Sequence, residues 1–407
     1  MISVDEALNQ IRSHVRAPPV ERIALADALG RVLAEDVASD VDSPPHDKSV
    51  VDGYAIRSTD VSPEGETLTV IEEIVAGAVP QRTVTAGTAS RIMTGAPLPA
   101  GADAVVMVER TEPIDASQVR IGPQRITSGQ NIVPRAASMR RGETVLRAGH
   151  AVRPMEIGLL AEVGRHEVLA FRRPRVAVLP TGNELVTPAE IPAAGQIRNS
   201  NGAMLLAAVR HAGGEPVDLG IGRDDRASLR RLMSEGLRSD ALLISGGVSA
   251  GVLDLVPGVL ADLGVRQVFH KVNIKPGKPL WFGVYEAKAA WKLVFGLPGN
   301  PVSTLVCFEL FVRPVLRAMA GHPFGPRATV LARLTAPIHH RGDRPTYYPA
   351  KVTATGDGDT AETLAWQGSG DLRTLASANA LIHFAGGERT YQAGDVVAVS
   401  RLDSYND

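Results

Sequence analysis

Hydrophobic and polar positions change period several times along this chain, and each change marks an element. Val4, Ala7, Leu8, Ile11 and Val15 recur at helical spacing behind a Ser3/Glu6 capping box, which predicts an amphipathic helix. Residues 23–37 read as a short strand leading into a second helix, with Gly30 near its end. From residue 68 to about 125, short β-branched runs are cut by glycine and proline turns, the pattern of a small all-β domain. Residues 151–163 return to helical spacing at Ile157, Leu160, Ala161 and Val163, and this helix is expected to pack with the N-terminal ones.

Beyond residue 171 apolar strand-like runs alternate with helical ones. Residues 175–179, 216–221 and 241–244 read as strands; a stretch capped by Asn201 and residues 226–237 read as helices. This alternation predicts a three-layer α/β unit. Residues 302–320 form a long helix with a kink expected near Pro314. After Pro323 the segments are short, β-like and separated by Gly/Asp turns. The expected fold class is therefore multidomain α/β plus β. A discontinuous N-terminal helical domain (1–45 plus 131–170) carries an inserted β domain (46–130), followed by the α/β domain (171–320) and a C-terminal β domain (321–407).

Composition narrows the partners. The net charge of −1 over 407 residues supplies no long-range attraction to nucleic acid or to an anionic membrane, so any basic site must be local. The single cysteine, Cys307, lies in an apolar helical run and is expected to pack in a core. Asp5 and Glu6 stand where a signal peptide would be basic and then apolar, and no run reaches the roughly 18 apolar residues of a membrane helix. A cytoplasmic protein is expected.

The candidate chemistry gathers at strand ends. After the run 241–244 come Ser245, Gly246, Gly247, Ser249 and Gly251, with Asp254 three positions beyond. Glycines allow close backbone approach and aim N–H groups at an oxyanion, although small residues serve an ordinary strand-to-helix turn equally. Thr181, Gly182 and Glu184 follow the first strand and Asp224 the second, and open parallel sheets bind ligands at their carboxyl ends. Glu184, Asp224 and Asp254 around a phosphate would repel it, so they call for a divalent cation, and oxygen ligands with retained water point to Mg²⁺. Lys271, Lys275 and Lys278 sit on a proline-stiffened loop suited to clamping an anion. Pro298 and Pro301 flank Asn300, the expected cap of the next helix. Residues 91–97, which include Thr94, suit a ligand contact or a hairpin end, and the hairpin is preferred. In the C-terminal domain Arg344 and Ser369 are among the most site-like residues.

In order along the chain, PPHDKSVVDGYA (44–55), RIMTGAPLPAGADAVV (91–106), TGNEL (181–185), SGGVSAG with Asp254, KPGKP (275–279), GLPGNPVS (296–303) and QGSGDLRTLASANALI (367–382) resemble the motif series of the molybdopterin molybdenumtransferases, the MoeA-type proteins related to the gephyrin E domain. The resemblance runs through nearly the whole chain. It implies a MoaB/MogA-like molybdopterin-binding central domain and a barrel-like C-terminal domain. It also implies an enzyme that takes adenylylated molybdopterin and molybdate, releases AMP and leaves molybdenum on the dithiolene. By position Glu184, Asp224 and Asp254 fall at the acidic pocket with Mg²⁺ and the pyrophosphate, Thr181, Gly182 and the glycine loop at the pterin phosphate, and Lys271 and Lys275 among the active-site lysines. Lys275, Lys278, Arg344 and Ser369 match the residues expected to hold molybdate.

Asp52 and Thr94 match residues contributed by the partner subunit, which implies a homodimer with composite sites. The molybdopterin adenylyltransferase and apo-molybdoenzymes are further implied partners. One stretch departs from the family pattern: Arg135 is followed by Ala136, Ala137 and Ser138 where Gly-Glu-Asp is usual. Two other readings share part of the pattern, adenylyl transfer to molybdopterin and a gephyrin-like scaffold. The enzymes of adenylyl transfer generally lack the flanking β-rich domains.

Overall fold

The computed structural model describes residues 1–16, 18–248, 255–287 and 290–402. They fall into two compact units, one of residues 24–27 and 35–168, the other of 1–23, 28–34 and 169–407.

The smaller unit is built on a six-stranded sheet in the order Ala104–Met107, Gly53–Ile56, Thr88–Ile92, Glu66–Ile74, Gln118–Ile121, Thr111–Pro113. Side chains on successive strand residues point to opposite faces, so Tyr54 and Ile56 enter one core while Ala55 enters another with Ile74, Ile92 and Val105. Gly53 pairs so closely that a Cβ there would fall 1.9 Å from the Val106 carbonyl oxygen. Only glycine fits that position. The same unit holds the helix Pro154–Glu162, whose proline at the first turn is pre-set for helix geometry.

Residues 23–37 do not form the expected helix. They make the end of the strand Val20–Ala24, one 3₁₀ turn at Leu25–Asp27 and extended chain. Gly30 takes a positive φ of 73°, which ends any helical run there. The apolar spacing that suggested a helix is instead satisfied by burial of Ala28, Val32, Leu33 and Val37 from non-helical backbone.

The larger unit contains a second six-stranded sheet, in the order Glu215–Asp218, Arg175–Pro180, Ala241–Ser245, Ala290–Leu297, Trp281–Ala287, Arg266–His270. The first four strands are parallel, Trp281–Ala287 runs antiparallel to them, and Arg266–His270, antiparallel to its neighbour, runs again in the direction of the first four. Both faces are covered: Val176, Val178 and Leu243 pack in one core, and Ala177, Leu179, Leu242 and Ile244 in the other. Double burial is why these strands read as unbroken apolar runs. The helix Val4–Arg12 sends Ala7, Leu8 and Ile11 into the first of those cores.

The run 302–320 is one helical rod with an interruption. The α-helix Pro301–Cys307 passes into a π-helical turn at Phe308–Val312 and resumes as Arg313–Met319. The wide turn falls immediately before Pro314, whose missing N–H breaks the α-helical ladder. Beyond it, Thr329–Leu334, Gly358–Thr363, Thr346–Thr355, Ala380–Phe384 and Val396–Arg401 close into a five-stranded barrel around Ala350, Ile382, Phe384 and Val399. The multidomain α/β-plus-β class expected from the pattern is the one observed.

Candidate active site

A cavity of about 1230 Å³ opens at the carboxyl ends of the parallel strands and is walled on its far side by residues of the barrel region. Its position follows from topology. The strands Arg175–Pro180, Ala241–Ser245 and Ala290–Leu297 run parallel and adjacent, so the loops leaving them meet at one end.

The first loop supplies Thr181, Gly182 and Glu184. Gly182 has a φ of 152°, and a Cβ there would lie 2.5 Å from a Glu184 carboxylate oxygen. Glycine thus leaves room for the carboxylate to fold back over the loop. Arg223 holds the loop from outside, its guanidinium donating to the carbonyl of Leu185 at 2.9 Å and of Asn183 at 3.2 Å. Asp224, also in the wall, is fixed by reciprocal contacts: its N–H donates to Asn183 Oδ1 at 3.1 Å and its Oδ2 accepts from the Asn183 N–H at 3.3 Å. The next residue, Asp225, caps the helix Arg226–Gly236 by accepting from the Ser228 N–H at 2.8 Å. The two neighbouring aspartates therefore divide between wall and cap.

Ser245, Gly246 and Gly247 form the floor at the end of the third strand. Gly246 has a φ of 93° and would place a Cβ 2.6 Å from the Thr181 carbonyl oxygen. Ser249, Gly251 and Asp254 lie outside the described residues. Across the cavity are Lys275 and Lys278. Their loop is stitched to the barrel: the Lys275 N–H donates to the Pro345 carbonyl at 2.8 Å, and the Tyr347 N–H donates back to the Lys275 carbonyl at 2.9 Å. Arg344 adds a guanidinium contact to the Ile274 carbonyl at 2.9 Å. Lys271 begins the same loop, with a positive φ of 74° and its N–H bonded to the Leu280 carbonyl, but is not part of the wall.

Pro298, Pro301 and Ser369 complete the set of expected residues that the structure brings together. Asn300 occupies the cap position of the following helix without making a side-chain cap, and donates instead to Ser369 Oγ at 2.8 Å. Asn199, not Asn201, caps the helix Ser200–His211, accepting from the Gly202 N–H at 2.9 Å. Asn201 faces the wall, where its amide reaches Ser245 Oγ at 2.8 Å and the Gly299 carbonyl at 2.7 Å.

Asp52 and Thr94 belong to the smaller unit. Both the N–H and the hydroxyl of Thr94 donate to Asp52 Oδ1 at 2.7 Å. Those two bonds hold the Asp52 carboxyl below the usual carboxylate range. Ser138 is in the same unit, exposed, its N–H bonded to the Ser43 carbonyl at 2.9 Å.

Several wall residues were not picked out from the sequence. His340 is 5% exposed, stacks on Phe384, and is pushed below the ordinary histidine range first by burial and then by the charge of Lys275. Its Nε2, Thr181 Oγ1 and Asn201 Oδ1 are buried and have no hydrogen-bond partner among the described residues. Buried polar atoms normally have partners, so a ligand or water fits here. A signal for His340 was present as the pair His339-His340, but its placement depends on pairing of the strand Ile338–His340 with Arg389–Tyr391.

The donor set is compatible with a hard cation. Glu184 and Asp224 supply oxygen only, and among the described residues no group of three His, Cys, Asp or Glu could hold a metal by itself. Mg²⁺ is commonly held by one or two carboxylates together with substrate phosphates, which this pair suits better than a closed protein cage. Cys307 is not part of the wall. It is fully buried, and burial raises its thiol far above the ordinary range.

The fold is multidomain α/β plus β, with its cavity beyond the carboxyl ends of a parallel sheet, the place where open α/β sheets bind ligands. Three family models then match in sequence: the MoeA N-terminal region (domain I and II) over residues 2–164, a probable molybdopterin binding domain over 177–318, and the MoeA C-terminal region (domain IV) over 331–402. The chain belongs to the MoeA family, transferases of molybdenum cofactor biosynthesis. A molybdopterin molybdenumtransferase of Staphylococcus aureus is 34% identical, the match covering 99% of this chain and 96% of that protein. The crystal structure of the MoeA molybdopterin biosynthesis protein of Pyrococcus horikoshii superposes with a TM-score of 0.84 at 30% identity, over 98% of this chain and 100% of the other. A molybdenum cofactor biosynthesis protein of Pyrococcus furiosus shares the fold at 19% identity, with a TM-score of 0.59 over 98% of this chain and 99% of the other.

Proposed function

We propose that the cavity transfers molybdenum from molybdate to adenylylated molybdopterin and releases AMP. The observation that carries this reading is the opposition, across one cavity, of a glycine floor (Ser245, Gly246, Gly247) with two carboxylates beside it and a cationic wall of Lys275, Lys278 and Arg344. A ligand with a phosphoanhydride needs the first side, and a second, separate oxyanion needs the other.

Glu184 and Asp224 would hold Mg²⁺ through the substrate phosphates, with Asp254 as the third carboxylate of the proposal. The cation would supply charge neutralisation at the phosphoanhydride. The chain's own contribution is positional. The Gly246 and Gly247 backbone admits the pterin phosphate, with Thr181, Gly182, Ser249 and Gly251 completing its cradle. Lys275, with Lys271 nearby in the loop, offsets negative charge as water attacks at phosphorus and the phosphoanhydride P–O bond breaks, giving AMP and molybdopterin with its own phosphate retained. Lys275, Lys278, Arg344 and Ser369 hold molybdate. No covalent enzyme nucleophile is required, and the buried Cys307 has no part.

We include in the proposal a homodimer in which Asp52 and Thr94 complete the partner's site, a cytoplasmic setting, and hand-over partners upstream (the adenylyltransferase) and downstream (apo-molybdoenzymes). Among the described residues no helix is long and apolar enough to cross a membrane. Adenylyl transfer is the second reading. The barrel region's contribution of Arg344 and Ser369 to the wall favours insertion, because the enzymes of adenylyl transfer generally lack the flanking β-rich domains. Following AMP release with adenylylated molybdopterin and molybdate, against ATP and bare molybdopterin, separates the two.

A further inference from the structure

Asn201 sits in the first turn of the helix Ser200–His211, half-buried, where three strand-end loops come together. Its Nδ2 is 2.7 Å from the Gly299 carbonyl oxygen. A carbonyl can only accept, so this atom is the amide nitrogen, and its contact to Ser245 Oγ at 2.8 Å is also a donation. Both amide protons are thereby used. Ser245 Oγ receives one of them, which leaves the hydroxyl's own proton to be donated elsewhere. Ser245 is 3% exposed, lines the cavity, and its hydroxyl finds no acceptor among the described residues.

We propose that Asn201 is a positioning residue that orients Ser245 so that its hydroxyl proton is offered to an oxyanion in the cavity. The free hydroxyl proton suits a ligand atom that accepts, such as a deprotonated phosphate oxygen. The arrangement also explains why an asparagine is needed. An aspartate of the same shape would accept the Ser245 proton, reverse the bond, and set a negative charge against both the Gly299 carbonyl and the incoming anion.

The inference rests on the reading of the cavity as an oxyanion site, and the test separates the two. Inorganic pyrophosphate is titrated calorimetrically into the full-length protein and into Asn201→Asp, Asn201→Ala, Ser245→Ala and the Asn201→Ala/Ser245→Ala double variant, with thermal melts of each. Asn201→Asp is expected to weaken binding about tenfold or more, the scale of a hydrogen bond to a charged group. The double variant is expected to bind no more weakly than Ser245→Ala alone, because Asn201 acts through that hydroxyl. If the aspartate variant does not fold, Asn201→Ser in the same cycle replaces it. Pyrophosphate affinity within twofold of wild type for Asn201→Asp, or losses that multiply in the double variant, would overturn the proposal. A wild-type protein that binds no pyrophosphate would overturn the oxyanion reading of the cavity, and this inference with it.

Discussion

The side chain of Asn300 donates to the Ser369 hydroxyl at 2.8 Å, and the Val302 N–H donates to the Ser369 carbonyl at 3.0 Å. Two hydrogen bonds thus tie the turn that follows the strand Ala290–Leu297 to the loop that precedes the helix Leu372–Ser377. One asparagine sets the position of a hydroxyl proposed to hold molybdate. Asn300→Ala should raise the KM for molybdate several-fold while lowering stability by only about 1 kcal/mol, the net worth of one such bond. Steady-state kinetics at varied molybdate, with a denaturant melt, checks both numbers. An unchanged KM would remove Asn300 from the account of the site.

Gly246 carries the steric argument. Its φ of 93° is a conformation that L-residues avoid, and a Cβ would meet the Thr181 carbonyl oxygen at 2.6 Å. Gly246→Ala is expected to cost about 1–3 kcal/mol of stability and to displace the floor of the cavity. Pyrophosphate binding should fall more steeply than the melting temperature. Gly220→Ala, at a positive φ of 73° but with nothing within 4 Å of the added Cβ, is the control: it should lower stability without touching affinity.

Burial holds His383 at about 4, with its Nε2 2.9 Å from Ser400 Oγ. Above the ordinary value of 6.5 the ring is neutral both folded and unfolded, so it has no effect on stability. As the pH falls through that value the unfolded chain takes up a proton that the folded chain refuses, and stability declines until about pH 4. With partial exposure discounted, the loss is about 1–3 kcal/mol over that window. His322, also held at about 4 by burial and by Arg317, adds to the decline in the same direction. Urea melts at stepped pH should show a shallower decline for His383→Gln than for wild type. An identical slope would assign the acid sensitivity to other groups.

What the pattern revealed followed from burial. The parallel strands at 175–180 and 241–245 are covered on both faces, so they stand out as apolar runs ending in glycine and polar residues, and the wall residues Thr181, Glu184 and Ser245 are found immediately beyond them. Contacts between distant segments were not legible. Arg223 gripping the carbonyls of 182–185, and His340 brought beside Lys275, depend on loop packing that no local spacing encodes. Asn199 and Asn201 are two residues apart and both suit a cap, and only the helix start distinguishes them. At residues 23–37 the spacing suggested a helix, but the 3₁₀ turn and the positive φ at Gly30 show tertiary burial overriding it.

The central claim is that the carboxylates at the strand ends and the lysine wall form one insertion site. The most direct measurement follows AMP release and molybdenum incorporation from adenylylated molybdopterin and molybdate, comparing wild type with Asp224→Asn and Lys275→Ala at fixed Mg²⁺. The account predicts AMP release lowered about 100-fold or more in each variant, the scale of losing one electrostatic contact to the reacting group, with melting temperatures near wild type. Full AMP release and full molybdenum incorporation by both variants would contradict it.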